Sequence, residues 1–235
     1  MNPVEAASTL VDERFPECVA AFVGGSVIEG RGTPTSDLDM VVITTRDEAP
    51  YRESIKYAGW PVELFVHTPS SYKLYFASDA KSRAPALARM CTGVVLRDRD
   101  GIGTTVKQEA QALIDRGPEP LTAPDLDNRR YMLTDLLDDF GDSEKPQEAV
   151  FIAAKLLEDS IDLLLAVNKK WSGKSKWLAR ALDALDPGLT REAFDAIEAF
   201  HKQADREPLT KFAERVLQAA GGRLWEGYSQ SGRRS

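Results

Sequence analysis

No stretch after Gly117-Pro118-Glu119-Pro120 reads as a strand, whereas before it short apolar and alternating runs recur. This change of character limits the chain to two unlike halves, a mixed α and β region followed by helices alone. In the first half, Val4, Ala7, Leu10, Val11 and Phe15 stand at helical spacing and Pro16 closes the segment. Cys18 to Val23 is an apolar run that ends in Gly24-Gly25-Ser26, and Asp37 to Thr44 alternates acidic with apolar residues before turning apolar, as a half-buried strand does. The glycines, proline and hydroxyls of Glu29 to Ser36 predict a loop between these two strands. Tyr51 to Tyr57 and Val62 to Val66 are the next strands, separated by Gly59-Trp60-Pro61. Helices over 69–78, 84–91 and 104–115 and a short strand Val94 to Leu96 complete this half.

In the second half, Leu126, Leu133, Leu136, Leu137 and Phe140 share one helical face. Val150, Ala154, Leu157, Ile161, Leu164 and Leu165 form the expected apolar face of a helix over 147–169, and helical patterns continue over 174–185, 189–203 and 209–220. The expected class is therefore α+β: a domain with a mixed sheet over 1–119 and an all-helical domain over 120–235, with the polar, basic end Ser229 to Ser235 frayed.

Composition removes several classes of function. The 235 residues are 43% hydrophobic and 29% charged, an ordinary folded mixture. With 30 basic against 37 acidic residues, for a formal charge of -7, a sequence-blind grip on nucleic acid is not expected. Cys18 and Cys91 are too few and too far apart for a disulfide framework or a zinc site, and His67 and His201 add no ligand spacing. The longest purely apolar runs, Cys18 to Val23 and Leu163 to Val167, fall far short of the ~20 residues of a membrane span. No export signal, no membrane partner and a reducing cytoplasm are the expectations.

The chemistry concentrates in one stretch. Asp37 and Asp39 stand two apart at the start of a strand, so both carboxylates leave the same face of the sheet and need a cation. Solvated strand-edge aspartates are the competing explanation. Ser26 lies eleven residues earlier in a glycine turn that follows an apolar strand, a place where backbone amides and a hydroxyl can meet a phosphate. Glu63 interrupts the apolar strand Pro61 to Val66, which is costly for a charge without a partner. Either a shared metal or a nearby lysine or arginine would supply one. Three carboxylates on adjacent strands beside a glycine turn match the needs of Mg²⁺-dependent phosphoryl transfer: hard oxygen ligands, a metal on the phosphates and a carboxylate able to take a proton.

Gly25-Ser26, Ser36-Asp37-Leu38-Asp39 with its following Met40-Val41-Val42-Ile43, and Glu63 in Val62-Glu63-Leu64-Phe65-Val66 resemble the signature of nucleotidyltransferases of the DNA polymerase β superfamily. The resemblance covers about residues 18 to 67. With a helical half following, the chain looks like the antibiotic nucleotidyltransferases that act on aminoglycosides or lincosamides. The resemblance implies ATP as co-substrate against Gly25, Ser26 and Ser36, two Mg²⁺ ions on Asp37, Asp39 and Glu63, and Glu63 as general base. AMP would pass to a small-molecule hydroxyl with release of pyrophosphate. In such relatives a lysine of the helical domain reaches the triphosphate. The segment Trp171 to Leu182 makes Lys176 the first candidate and Lys174 the second, both also readable as solvated residues at a helix start.

Some relatives use a glutamate of the helical domain as base; Glu158 and Asp162, four apart on one helix, are the candidates for it here or else a solvated pair. Asp135, Asp138, Asp139, Asp142 and Glu144 could attract a polycationic acceptor or simply form a solvated helix end, and Tyr131, Trp171 and Trp177 could line a pocket or belong to the core. Ser172-Gly173-Lys174-Ser175 imitates the end of a P-loop, but the pattern needs glycine at position 168, which is Asn168. Gly30-Arg31-Gly32 and Gly101-Ile102-Gly103 lack the strand-to-helix context of a dinucleotide fold. Two alternatives remain open: an adenylyltransferase that modifies a partner protein, of toxin and antitoxin type, and a catalytically silent nucleotide-binding protein. Many relatives form dimers, so a homodimer is open as well.

Overall fold

The computed structural model describes residues 1–45 and 48–231. The chain divides into two compact units, Met1–Pro118 and Glu119–Ser235. The first opens with α1 (Pro3–Arg14), started by a capping box in which Asn2 accepts from the Glu5 amide and Glu5 from the Asn2 amide. Then come β1 (Ala20–Gly24), α2 (Gly25–Ile28), β2 (Leu38–Ile43), β3 (Tyr51–Tyr57) and β4 (Trp60–His67). α3 (Ser71–Ser82), α4 (Ala86–Cys91), β5 (Val94–Asp98) and α5 (Ile102–Arg116) complete the unit.

The five strands form one sheet in the order β3-β4-β2-β1-β5. It is mixed: β2 runs parallel to β4, and the other neighbours are antiparallel. Every residue of β1 is buried and β2 is nearly so, as central strands covered on both faces must be. β3 alternates half-buried with exposed residues, the mark of an edge strand with one wet face. Ala58 and Gly59, both at positive φ, join Tyr57 to Trp60 in a two-residue hairpin turn. One face of the sheet (Ala21, Val23, Met40, Val42, Leu64, Val66) packs with Ala7, Leu10 and Val11 of α1. Alternation sends Phe22, Gly24, Asp39, Val41, Glu63 and Phe65 to the other face.

On α3, Asp79 is buried and accepts from the amides of Leu87 and Ala88, at 2.9 and 3.2 Å, so it caps α4 from a distance. Burial pushes its carboxyl up to about 6, against the pull of those amides. A carboxyl raised on folding binds protons more tightly in the folded state, so the stability it contributes falls as pH rises from 4 through 6. Asp79→Asn keeps an acceptor oxygen and removes that dependence. Relative to wild type, the variant should gain about 2 kcal/mol between pH 4 and pH 7.5. Denaturant melts at both pH values check this, and parallel curves for the two proteins would refute it.

Among the described residues the second unit holds five helices: α6 (Ala123–Asp142), α7 (Pro146–Val167), α8 (Lys176–Leu185), α9 (Pro187–Gln203) and α10 (Glu207–Ala219). Leu133, Leu137, Phe140, Leu156, Leu163, Leu165, Leu182, Phe200, Leu209, Phe212 and Leu217 form its core. Asp186 caps α9 through the Gly188 amide, and Pro187 fits the first turn, where a missing N–H costs nothing. The expected apolar face of α7 is displaced by one residue over most of its length. Ala149, Ala153, Leu156, Ser160 and Leu163 are buried, whereas Val150 is 43% exposed. The apolar residues of this helix cover a wide arc beside a charged stripe (Glu148, Lys155, Asp159, Asp162), so periodicity alone could not select the phase; packing against α6 and α10 does. Among the described residues no helix is long and apolar enough to cross a membrane.

Candidate active site

The site is built on three adjacent strands. Gly24 of β1 stands opposite Asp39 of β2, which stands opposite Glu63 of β4, and Asp37 lies just before β2. Shared register puts these side chains on one face. Asp37, Asp39 and Glu63 each offer a carboxylate oxygen, and the three atoms lie within 4.8 Å of one another. All three residues are half-buried, and among the described residues no other group of three acidic, histidine or cysteine ligands comes so close together. Like charges at this spacing repel unless a cation sits among them. The donors are all hard oxygens, which suits Mg²⁺ and offers nothing to a metal that prefers sulfur or imidazole.

Gly25 explains why the glycine turn and the carboxylates occur together. Its φ of +79° is a left-handed conformation, and a Cβ there would meet the Asp39 Oδ2 atom at 2.0 Å. Only glycine lets the backbone approach the carboxylate this closely. The expected Gly-Gly-Ser turn is in fact the start of α2: Glu29 N donates to Gly25 O at 3.1 Å and Arg31 N to Ser26 O at 2.8 Å. Ser26 is buried and its hydroxyl donates to Ser36 Oγ at 3.3 Å. Ser36 Oγ also accepts from the Thr33 amide at 2.8 Å, so one hydroxyl ties the loop before Asp37 to α2.

Glu63 has an organic cation beside it as well as two aspartates. Arg52 of β3 donates to its Oε1 at 2.5 Å. Of the two partners expected for this charge, a shared metal or a nearby lysine or arginine, the arginine is present as Arg52. Two further arginines went unremarked in the sequence. Arg31 follows α2 and pairs with Glu29, and Arg89 of α4 is held below the usual arginine range by burial and then by the charge of Arg31. Arg31 lies inside the Gly30-Arg31-Gly32 stretch, and Arg89 is far away in the chain, so only the fold shows that they influence each other.

The remaining candidates belong to the second unit. Lys176 opens α8 and Lys174 lies in the loop before it; both are exposed. That loop is anchored. Ser172 is buried and its hydroxyl donates to Asp162, whose other oxygen pairs with Arg129. Asp162 therefore acts as a loop anchor within this unit, while Glu158 is exposed. Of the acidic group, Asp138 pairs with Arg223 at 2.5 Å, Asp135 is half-buried, and Asp139, Asp142 and Glu144 are exposed. Tyr131 stacks on Tyr228 with ring centroids 4.0 Å apart and on Trp225 at 5.4 Å, so it docks the chain's own C-terminal segment. The Tyr228 hydroxyl donates to Asn128 at 2.6 Å, just before the end Ser229 to Ser235 expected to fray, of which residues 232–235 lie outside the described residues. Trp171 is half-buried, and Trp177 lies under the Arg180 guanidinium at 4.7 Å.

No family model matches the sequence, and no curated protein is detectably similar to it. Among solved structures, the chain is similar to a nucleotidyltransferase-like protein from Exiguobacterium sibiricum 255-15. The identity is 14%, the TM-score is 0.47, and the match covers 93% of this chain and 77% of that one.

Proposed function

We propose that this protein is a Mg²⁺-dependent nucleotidyltransferase that moves AMP from ATP to a hydroxyl of a small molecule and releases pyrophosphate. One observation carries the reading: three carboxylate oxygens at neighbouring strands within 4.8 Å of one another, against a glycine whose missing Cβ leaves room for Asp39. Asp37 and Asp39 would hold one Mg²⁺, and Glu63 would take part in holding a second. When bound, the ions supply positive charge to the phosphate oxygens and to the attacking and leaving oxygens.

The protein's own groups do the rest. The backbone at Gly25 and the Ser26 hydroxyl receive the triphosphate, and Ser36 orients Ser26. Arg89, next to the Met90 backbone that packs on Gly24, and Arg31, whose amide donates to Ser26, are the proposed added positive charge, and Lys176 or Lys174 is the proposed contribution of the helical unit. The acceptor oxygen forms its bond to the α-phosphorus in line with the departing pyrophosphate, and Glu63 accepts the proton it loses. An aminoglycoside- or lincosamide-like molecule is the proposed acceptor, with Asp135, Asp139, Asp142 and Glu144 as the acidic groups that would attract a polycation.

Pyrophosphate release tests the reading: purified protein with Mg²⁺ and each NTP, across aminoglycosides and lincosamides, with Asp37→Asn as the blank. Release that depends on ATP, on one drug and on Asp37 is the expected result. ATP binding without turnover of any drug would overturn the antibiotic assignment. Label transferred from ATP to a protein in cell extract would then identify a protein-modifying enzyme, and no transfer at all a silent nucleotide-binding protein.

A further inference from the structure

The edge strand β3 brings a fixed positive charge to the carboxylate site. Arg52 stands opposite Phe65 and Ser54 opposite Glu63, so Arg52 is the diagonal neighbour of Glu63 on the same face of the sheet. Its guanidinium lies over the Phe65 ring, 5.0 Å from the centroid, while Nη2 donates to Glu63 Oε1 at 2.5 Å. The opposite face of β3 is tied down. Glu53 pairs with Arg14 at 2.5 Å and Tyr57 donates to Glu13 at 2.9 Å, so the strand cannot turn Arg52 away from the site. The Arg52 side chain itself is 58% exposed and that of Glu63 24%, which leaves the arginine free to swing into solvent when something displaces it.

We propose that Arg52 is a resident counter-cation of the metal site, occupying Glu63 until a divalent ion displaces it. This rests on the reading of Asp37, Asp39 and Glu63 as metal ligands. Two cations then compete for one carboxylate. A divalent ion held by Asp37 and Asp39 meets no such competitor at Glu63, whereas an ion that needs Glu63 must first free it from Arg52. The resting site is therefore matched to one ion, and the position at Glu63 fills last. Arg52 acts through Glu63 and is a positioning residue; it has no part in the transfer itself.

Mn²⁺ alone, followed by electron paramagnetic resonance on the full chain, is the probe. Arg52→Gln should tighten Mn²⁺ binding about two- to fivefold, the range that an exposed ion pair can impose. Arg52→Lys, which keeps the charge, should stay near wild type. The gain should vanish when Glu63→Gln is added to Arg52→Gln, because the two residues are coupled. Unchanged or weaker binding in Arg52→Gln, or a gain that survives in the double variant, would overturn the proposal. If wild type and Asp39→Asn bind Mn²⁺ alike, the metal-site reading itself falls and takes this one with it. Circular dichroism verifies the fold, and Arg52→Met carries the same expectation should Arg52→Gln not fold.

Discussion

Asp39→Asn is expected to lower transfer activity by about three orders of magnitude while leaving the fold intact, since metal-centred charge stabilisation is worth several kcal/mol and each 1.36 kcal/mol is tenfold in rate. Asp39 is the middle member of the group, opposite both Gly24 and Glu63 in register, so its loss divides the site. Asparagine has the same shape, which keeps the packing of β2. It carries no negative charge and leaves Asp37 and Glu63 alone to hold a cation. Pyrophosphate release and Mn²⁺ binding should fall together, with an unchanged melting curve. Activity near wild type in Asp39→Asn would remove the metal from the mechanism.

Gly25→Ala should have the second largest effect, and of a different kind. The new Cβ would lie 2.0 Å from Asp39 Oδ2, so the carboxylate must turn away or α2 must shift. A non-glycine residue at φ +79° adds strain of about 1–3 kcal/mol. Melting temperature and activity should both drop, activity by at least about tenfold, because a misplacement near 1 Å suffices to cost that and more. Gly59→Ala is the matched control. Its φ is +87° and nothing lies within 4 Å of the added Cβ, so it shares the strain without the collision. Equal activity losses in the two variants would show that strain, and no contact with Asp39, is responsible.

The strands around the site could be read from residues because each is short, apolar and bounded by turn residues, and the two-residue period of Asp37 and Asp39 survives in the fold. Four things could not be read, each for a physical reason. α2 spans four residues, too few to show a helical period, so it passed for a turn. α7 is apolar over a wide arc, and its buried phase is chosen by its neighbours. The link between Arg52 and Glu63 depends on the register of β3 against β4, which is set by a two-residue turn at Ala58-Gly59 where the sequence points to Gly59-Trp60-Pro61. The influence of Arg31 on Arg89 is a matter of tertiary contact alone. Tyr131, open between pocket wall and core, seats Trp225 and Tyr228, which lie some hundred residues away in the chain.

The hairpin of β3 and β4 also sets which neighbour of Glu63 is local in the chain. Arg52 is eleven residues from Glu63 and joined to it through a two-residue turn, whereas Asp39 reaches Glu63 only across the parallel pairing of β4 with β2. The counter-charge of Glu63 is built into its own hairpin, and the carboxylates that crowd it come from a strand outside it.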